Sequence, residues 1–158
     1  MNAVALDHIR KKSDAANIFG KIADGHMEVF ELCDEYRNMV TAEIPKVHPD
    51  SPRLSPMIRG QREAEKLQKF HLLRWAELES RALTSVAQKA EDPTLRVDYT
   101  LRARQTIQFA LERFPEVHEL QESADLLDEL LAQWENGGRD ESNLLPYVHE
   151  SRHDAATD

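Results

Sequence analysis

Residues 149–153 read H-E-S-R-H, the spacing of a zinc-binding helix in which two histidines hold the metal and the glutamate acts as general base. The flanking residues are too polar for the buried helix that such enzymes use. We therefore expect an accidental match, with His149 and His153 forming at most a weak metal site. No other motif in the chain implies a metal or a cofactor, and we expect none.

A second group of residues that could do chemistry lies inside apolar helical patterns, and consists of His26, Cys33 and His71. A rise of 1.5 Å per residue would bring His26 and His71 about one turn apart in an antiparallel hairpin. We therefore treat the three residues as a candidate polar core site. Metal centres in helical bundles use Glu-x-x-His pairs on two helices, which the inward faces here do not carry. Hydrogen-bonded core histidines and a small buried thiol are the expected roles.

A third candidate is a basic helix face. Arg59, Arg62, Lys66 and Lys69 recur at offsets of three, seven and ten, and Arg53 precedes them. Such a face could bind phosphate groups or an acidic partner. It could equally be a solvated surface, or pair with the acidic fourth helix of the same chain. No aromatic residue interleaves with these charges, which weakens the case for stacking on single-stranded nucleic acid.

The charge of the chain is uneven. The formal net charge of −9 over 158 residues argues against general nucleic-acid binding, yet the middle of the chain is basic and its last part is acidic. One cysteine excludes an internal disulfide framework, and charged residues interrupt the first thirty positions. No apolar stretch approaches the length of about 20 residues that spans a bilayer. These features predict a cytoplasmic protein that does not enter the membrane.

The hydrophobic pattern predicts an all-α fold, a bundle of four to five helices in which two long antiparallel helices form the spine. Four of the seven prolines fall within residues 45–56 and predict an extended connector between the two long helices. Ser55 before Pro56 and Asp92 before Pro93 are the expected helix starts after it. The first long helix is predicted to follow a cap at Ser13 and Asp14 and to run to about Glu43, and the second to run from Pro56 to about Ala90. The third is predicted from Pro93 to Phe114, and the fourth from Pro115 to a stop at residues 136–138.

Apolar residues recur from Ala15 to Val40 as one face of the first long helix, with a possible kink at Gly25, and we expect this face to lie in the core. After Gly138 the sequence becomes polar. We expect one helical domain over residues 1–138 and a flexible acidic tail over residues 139–158.

These observations favour a non-catalytic helical interaction protein, an adaptor or regulatory subunit that acts through protein–protein contacts. Self-association as a homodimer is one form of this, because each of the two long helices would extend about 40 to 50 Å. The alternatives are a nucleic-acid-associated protein that uses the basic face, and a metal-dependent bundle enzyme centred on His26 and His71.

Overall fold

The computed structural model describes residues 14–136. Four α-helices follow one another, and a short 3₁₀ helix at Ile44–Lys46 separates the first two. Residues 14–136 contain no β-strand, so the predicted all-α fold is confirmed. The helices are α1 (Asp14–Glu43), α2 (Leu54–Lys89), α3 (Pro93–Arg113) and α4 (His118–Glu135).

Helix α2 is the spine of the fold. With 36 residues it extends about 54 Å, and α1, with 30 residues, packs antiparallel along it. Helix α3 returns along the second half of α2, and α4 packs on α3. The predicted pair of long antiparallel helices is therefore confirmed, and α1 continues through Gly25 without a break.

The start of α3 follows from local capping. The Asp92 carboxylate accepts a hydrogen bond from the Thr94 backbone N–H at 2.9 Å, and Pro93 occupies the first turn, where its missing N–H costs nothing. The Arg96 Nε atom donates to the Ala90 carbonyl at 2.6 Å, which supports the turn between α2 and α3. The predicted Asp92–Pro93 start is confirmed.

The start of α2 and the connector before it differ from the sequence expectation. Helix α2 begins at Leu54, its N-cap residue Arg53 makes no side-chain cap bond, and Ser55 lies inside the helix. The chain before it forms turns, in which the Leu54 N–H donates to the Ser51 carbonyl at 3.1 Å. The predictions of an extended connector and of an N-cap at Ser55 are therefore wrong. Pro56 tolerates this earlier start because the first turn of a helix needs no N–H donors.

One hydrophobic cluster joins all four helices. Helix α1 enters it mainly through Ala16 and Phe30, and α2 through residues such as Leu72 and Ala76. Alanines at contact positions allow helix axes to approach closely. Helix α1 therefore contributes both a small and a large buried side chain, and Phe19 and Met27 pack against the cluster at its edge.

A buried polar network fastens the end of α3 to the α1–α2 hairpin. The Gln68 side chain is 2% exposed, and its amide donates to Asp34 Oδ1 at 2.6 Å. Its carbonyl accepts from Arg37 at 3.1 Å, and Arg113 of α3 also pairs with Asp34 Oδ1 at 3.0 Å. The buried amide is thus paired at both ends, which is what a buried polar group requires.

Helix α4 reaches the core through α3, and a groove of about 840 Å³ runs between α2 and α4. Its apolar wall includes Leu73 of α2, Ile107 of α3 and Leu120 of α4, and Phe19 of α1 borders it. The predicted tail over residues 139–158, with His149 and His153, lies outside the described residues.

Candidate functional site

The structure brings His26 and His71 into direct contact across the α1–α2 hairpin. Their Nδ1 atoms are 2.8 Å apart, and their ring centroids are 5.1 Å apart with planes tilted by 41°. An imidazole Nδ1 is either a donor or an acceptor, so one ring of the pair must carry its proton on Nδ1 and the other must not. The pair is therefore a side-chain hydrogen bond between two helices.

The histidine pair borders the surface. Both rings are half-buried, and the Phe70 ring packs edge-on against each of them, with centroids 6.2 Å from His26 and 5.1 Å from His71. Burial, and then the nearby charge of His26, lower the pKa of His71 below its usual 6.5. Cys33, seven residues after His26 and hence on the same side of α1, is also half-buried. The three residues of the predicted polar core site therefore lie at the edge of the core.

The main departure from the sequence expectation is an exposed apolar stripe on α1. Leu32 is 64% exposed and Met39 is 59% exposed, although the pattern placed both in the core. The full stripe alternates spacings of four and three residues, and consists of Ile18, Ile22, Gly25, Val29, Leu32, Tyr36 and Met39. Five apolar residues of the predicted core face are therefore exposed: Ile18, Ile22, Leu32, Tyr36 and Met39.

The physical reason is that α1 carries two adjacent apolar rows. The row that contacts α2 includes Ala16, Ala23, Phe30 and Val40, which are buried. Both rows have helical periodicity, and periodicity alone does not distinguish them. Together the two rows form an apolar arc that is wider than the contact with one neighbouring helix. This width, which is visible in the sequence, indicates that part of the arc stays exposed.

Helix α2 extends this exposed stripe. Leu67 and Phe70 are exposed, and Phe70 contacts His26 at the inner edge of the stripe. Tyr36 crosses from α1 onto α2, where its hydroxyl lies over Gly60, seven residues before Leu67. We call the combined surface of the α1 stripe with Leu67 and Phe70 the hairpin face.

Charges of opposite sign border the hairpin face on its two helices. On α1 the border is mainly acidic, because Glu28 and Glu35 follow Gly25 and Leu32 of the stripe by three residues and are exposed. Lys21, which follows Ile18 in the same way, is the exception. On α2 the border is mainly basic, because Lys66 and Arg74 lie four residues before and after Phe70. The Arg74 guanidinium also lies 5.9 Å from the centre of the Phe70 ring.

The two lysines of the predicted basic face pair with different parts of the fold. Lys69 pairs with Glu116 at 2.7 Å and lies over the Phe114 ring, so it holds the turn between α3 and α4. That hydrogen bond is the main cause that lowers the pKa of Glu116. Lys66 pairs with Glu63 of its own helix at 3.0 Å.

The remaining arginines of the basic face, Arg53, Arg59 and Arg62, form no ion pair within residues 14–136. Arg59 and Arg62 line a shallow depression of about 520 Å³ beside the connector, together with Ser51 and Ser55. Glu63 and Lys66 also line the depression.

In the described chain no three metal-ligating side chains come together, so the histidine pair stands without a protein-derived third ligand. None of the described helices combines the length and the apolar character that crossing a bilayer requires.

Comparison of the chain with protein-family models, with curated protein sequences and with solved structures gives no match.

Proposed function

We propose that the protein is a helical interaction protein and that the hairpin face is its contact surface, occupied by a second copy of the same chain. The observation that carries the proposal is the exposed stripe on α1. Single exposed apolar residues are ordinary, whereas a contiguous patch is typical of an interaction site. The alternating four-three spacing is the pattern by which helices pack against one another in coiled coils.

The dimensions of the hairpin face suit a dimer. The stripe from Ile18 to Met39 is about 32 Å long, and two packed helices are about 20 Å wide, which gives about 600 Å² per copy. Two such faces would bury about 1,200 Å², the lower end of the range for specific protein interfaces.

The charges favour one arrangement of the two copies. If α1 of one copy lay on α1 of the other, the acidic borders at Glu28 and Glu35 would meet their own equivalents. If α1 lay on α2 of the partner copy, those carboxylates would face the border that carries Lys66 and Arg74. Complementary borders fix the register of an interface and suppress the wrong pairing. We therefore propose a two-fold dimer in which each α1 packs against the partner's α2.

Sedimentation velocity over a range of concentrations tests the dimer. We expect a monomer–dimer equilibrium in the wild type and a monomer in Leu32→Glu, with the same helical far-UV spectrum, because Leu32 is exposed within the chain. Leu101→Glu is the matched control, since Leu101 is an exposed leucine on α3 outside the hairpin face. A wild type that remains monomeric at high concentration, or a Leu32→Glu variant that still dimerises, would overturn the proposal.

Charge reversal tests the arrangement separately. Glu35→Lys and Lys66→Glu should each weaken the dimer, and the double variant should recover part of the loss if the two borders face each other. If the double variant dimerises more weakly than either single variant, the borders do not meet and the arrangement is wrong.

Nucleic-acid binding is the second candidate function. Arg59 and Arg62 favour it, because they line the depression and form no ion pair within residues 14–136. Phosphate contacts make such binding salt-dependent. Retention of the wild type on double-stranded DNA at low salt, lost at high salt and in an Arg59→Ala/Arg62→Ala variant, would support this candidate.

A further inference from the structure

We propose that His26 and His71 together bind one divalent transition-metal ion, with zinc as the reference ion and water completing the coordination. The two side chains come from different helices and are separated by 45 positions in the chain, and their Nδ1 atoms are already 2.8 Å apart. The bound ion would cross-link α1 to α2 beside the hairpin face.

The separation of the two nitrogens is close to what one ion requires. With metal–nitrogen bonds of about 2.0–2.1 Å, two ligands lie about 2.9 Å apart at a right angle and about 3.3 Å apart at the tetrahedral angle. The rings therefore need to separate by only a few tenths of an ångström. Each must also rotate, so that its Nδ1 lone pair points to a common centre and no longer at the other ring.

The surroundings allow this rotation. Both rings are half-buried, so an ion can reach them from the surface and keep water in its other positions. The Phe70 ring that packs against the pair is 51% exposed and can move outward. Two charged groups of this part of the hairpin are already engaged: Arg74 lies against Phe70 and pairs with Glu77, and Asp34, the residue after Cys33, is bonded to Gln68 and Arg113.

The proton balance of binding is simple. In the metal-free pair one neutral ring holds its proton on Nδ1, and in the metal-bound pair both Nδ1 atoms donate their lone pairs to the ion. The displaced proton moves to Nε2 of the same ring, so both imidazoles stay neutral and no redox step is involved.

Two protein ligands define the type of site. Structural zinc sites use four protein ligands and catalytic ones three, so a pair of imidazoles implies a weaker, exchangeable ion. Imidazole nitrogen suits zinc, nickel and copper and does not suit magnesium. We therefore expect micromolar affinity for Zn²⁺, tighter binding of Cu²⁺, and none of Mg²⁺.

The experiment uses the untagged full chain, ZnCl₂ as the probe, isothermal titration calorimetry and thermal unfolding. We expect one specific zinc ion per chain and a melting temperature about 5 °C higher at a hundredfold excess of free zinc over its dissociation constant. His26→Leu and His71→Leu should each fold and lose both effects. Mg²⁺ should leave the melting temperature unchanged.

Three control variants separate this site from other histidines. His48→Leu and His118→Leu alter exposed histidines elsewhere in the fold, and His149→Ala/His153→Ala removes the H-E-S-R-H string. All three should keep the zinc-dependent stabilisation. If zinc binds but the stabilisation survives His26→Leu or His71→Leu, or if it is lost with the controls, the ion is adventitious and the proposed site is wrong. The monomeric Leu32→Glu variant should bind zinc as the wild type does, so this result does not depend on the dimer.

Discussion

The phenol of Tyr36 on α1 closes over Gly60 on α2. A side-chain carbon added at residue 60 would lie 2.5 Å from the Tyr36 hydroxyl oxygen, closer than such atoms approach in real structures. Gly25, a glycine inside α1, has nothing within 4 Å of the same added carbon. The two glycines therefore differ in what an alanine would meet, although both lie in helical backbone.

Alanine substitution at these glycines should have unequal effects. Gly25→Ala should raise the free energy of unfolding by about 1 kcal/mol, because alanine loses less backbone entropy in a helix and meets no neighbour. Gly60→Ala should gain less, since it must displace the Tyr36 hydroxyl. In a Tyr36→Phe background, which lacks that hydroxyl, the gain at residue 60 should recover. Urea unfolding at a concentration where the protein is monomeric measures all three, and equal gains in the wild-type background would contradict the close contact.

The network around Gln68 should show strong coupling between its members. Asp34→Ala should cost about 2 kcal/mol, because it leaves the buried Gln68 amide without its acceptor and also removes the partner of Arg113. Gln68→Leu removes the buried amide itself. The double variant should therefore cost clearly less than the sum of the two single variants. Additive losses in urea unfolding would mean that the 2.6 Å hydrogen bond contributes little.

Sequence reasoning succeeded where the determinant was local. Asp92 before Pro93 marks the start of a helix whatever that helix packs against, and the rise of an α-helix was enough to bring His26 near His71. Sequence reasoning failed where burial depends on which side of a helix its partner packs against. The buried Ala23 row and the exposed Leu32 row of α1 have the same period, and only the position of α2 decides between them. The predicted start of α2 was wrong for a similar reason. The Leu54 N–H donates to the Ser51 carbonyl in a turn before the helix, and a helical hydrophobic pattern gives no information about such a turn.

Tyr99 should be replaceable by phenylalanine without loss of stability. Its side chain is 1% exposed, and its hydroxyl finds no hydrogen-bond partner in the part of the chain that the structure describes. A buried unpaired hydroxyl is unfavourable, so Tyr99→Phe should be neutral or should raise the free energy of unfolding by up to about 1 kcal/mol at pH 7. A clear loss of stability in thermal or urea unfolding would reveal a partner for the hydroxyl.

The burial of Tyr99 also predicts that the stability of the protein depends on pH in the alkaline range. Burial raises the pKa of Tyr99 above its usual 10.0, so the folded protein disfavours the phenolate more than the unfolded chain does. The stability that depends on the neutral phenol is complete below pH 10 and is lost as pH rises toward the higher folded pKa. Tyr99→Phe should therefore flatten the decline in stability above pH 10. An identical decline in both proteins would place the phenol in contact with water.

Chemical modification of Cys33 measures whether the hairpin face is covered, because Cys33 is the only cysteine in the chain and lies between Val29 and Tyr36 of the stripe. The half-buried thiol is partly accessible in the monomer. A second copy on the hairpin face would cover it. The rate of thiol modification by a neutral maleimide should therefore fall as the concentration of wild-type protein rises through the dimer range. In Leu32→Glu the rate should be independent of concentration, and in the Leu101→Glu control it should follow the wild type. If sedimentation detects a dimer but the wild-type rate does not change with concentration, the interface does not lie on α1 and the apolar stripe is uncovered in the dimer.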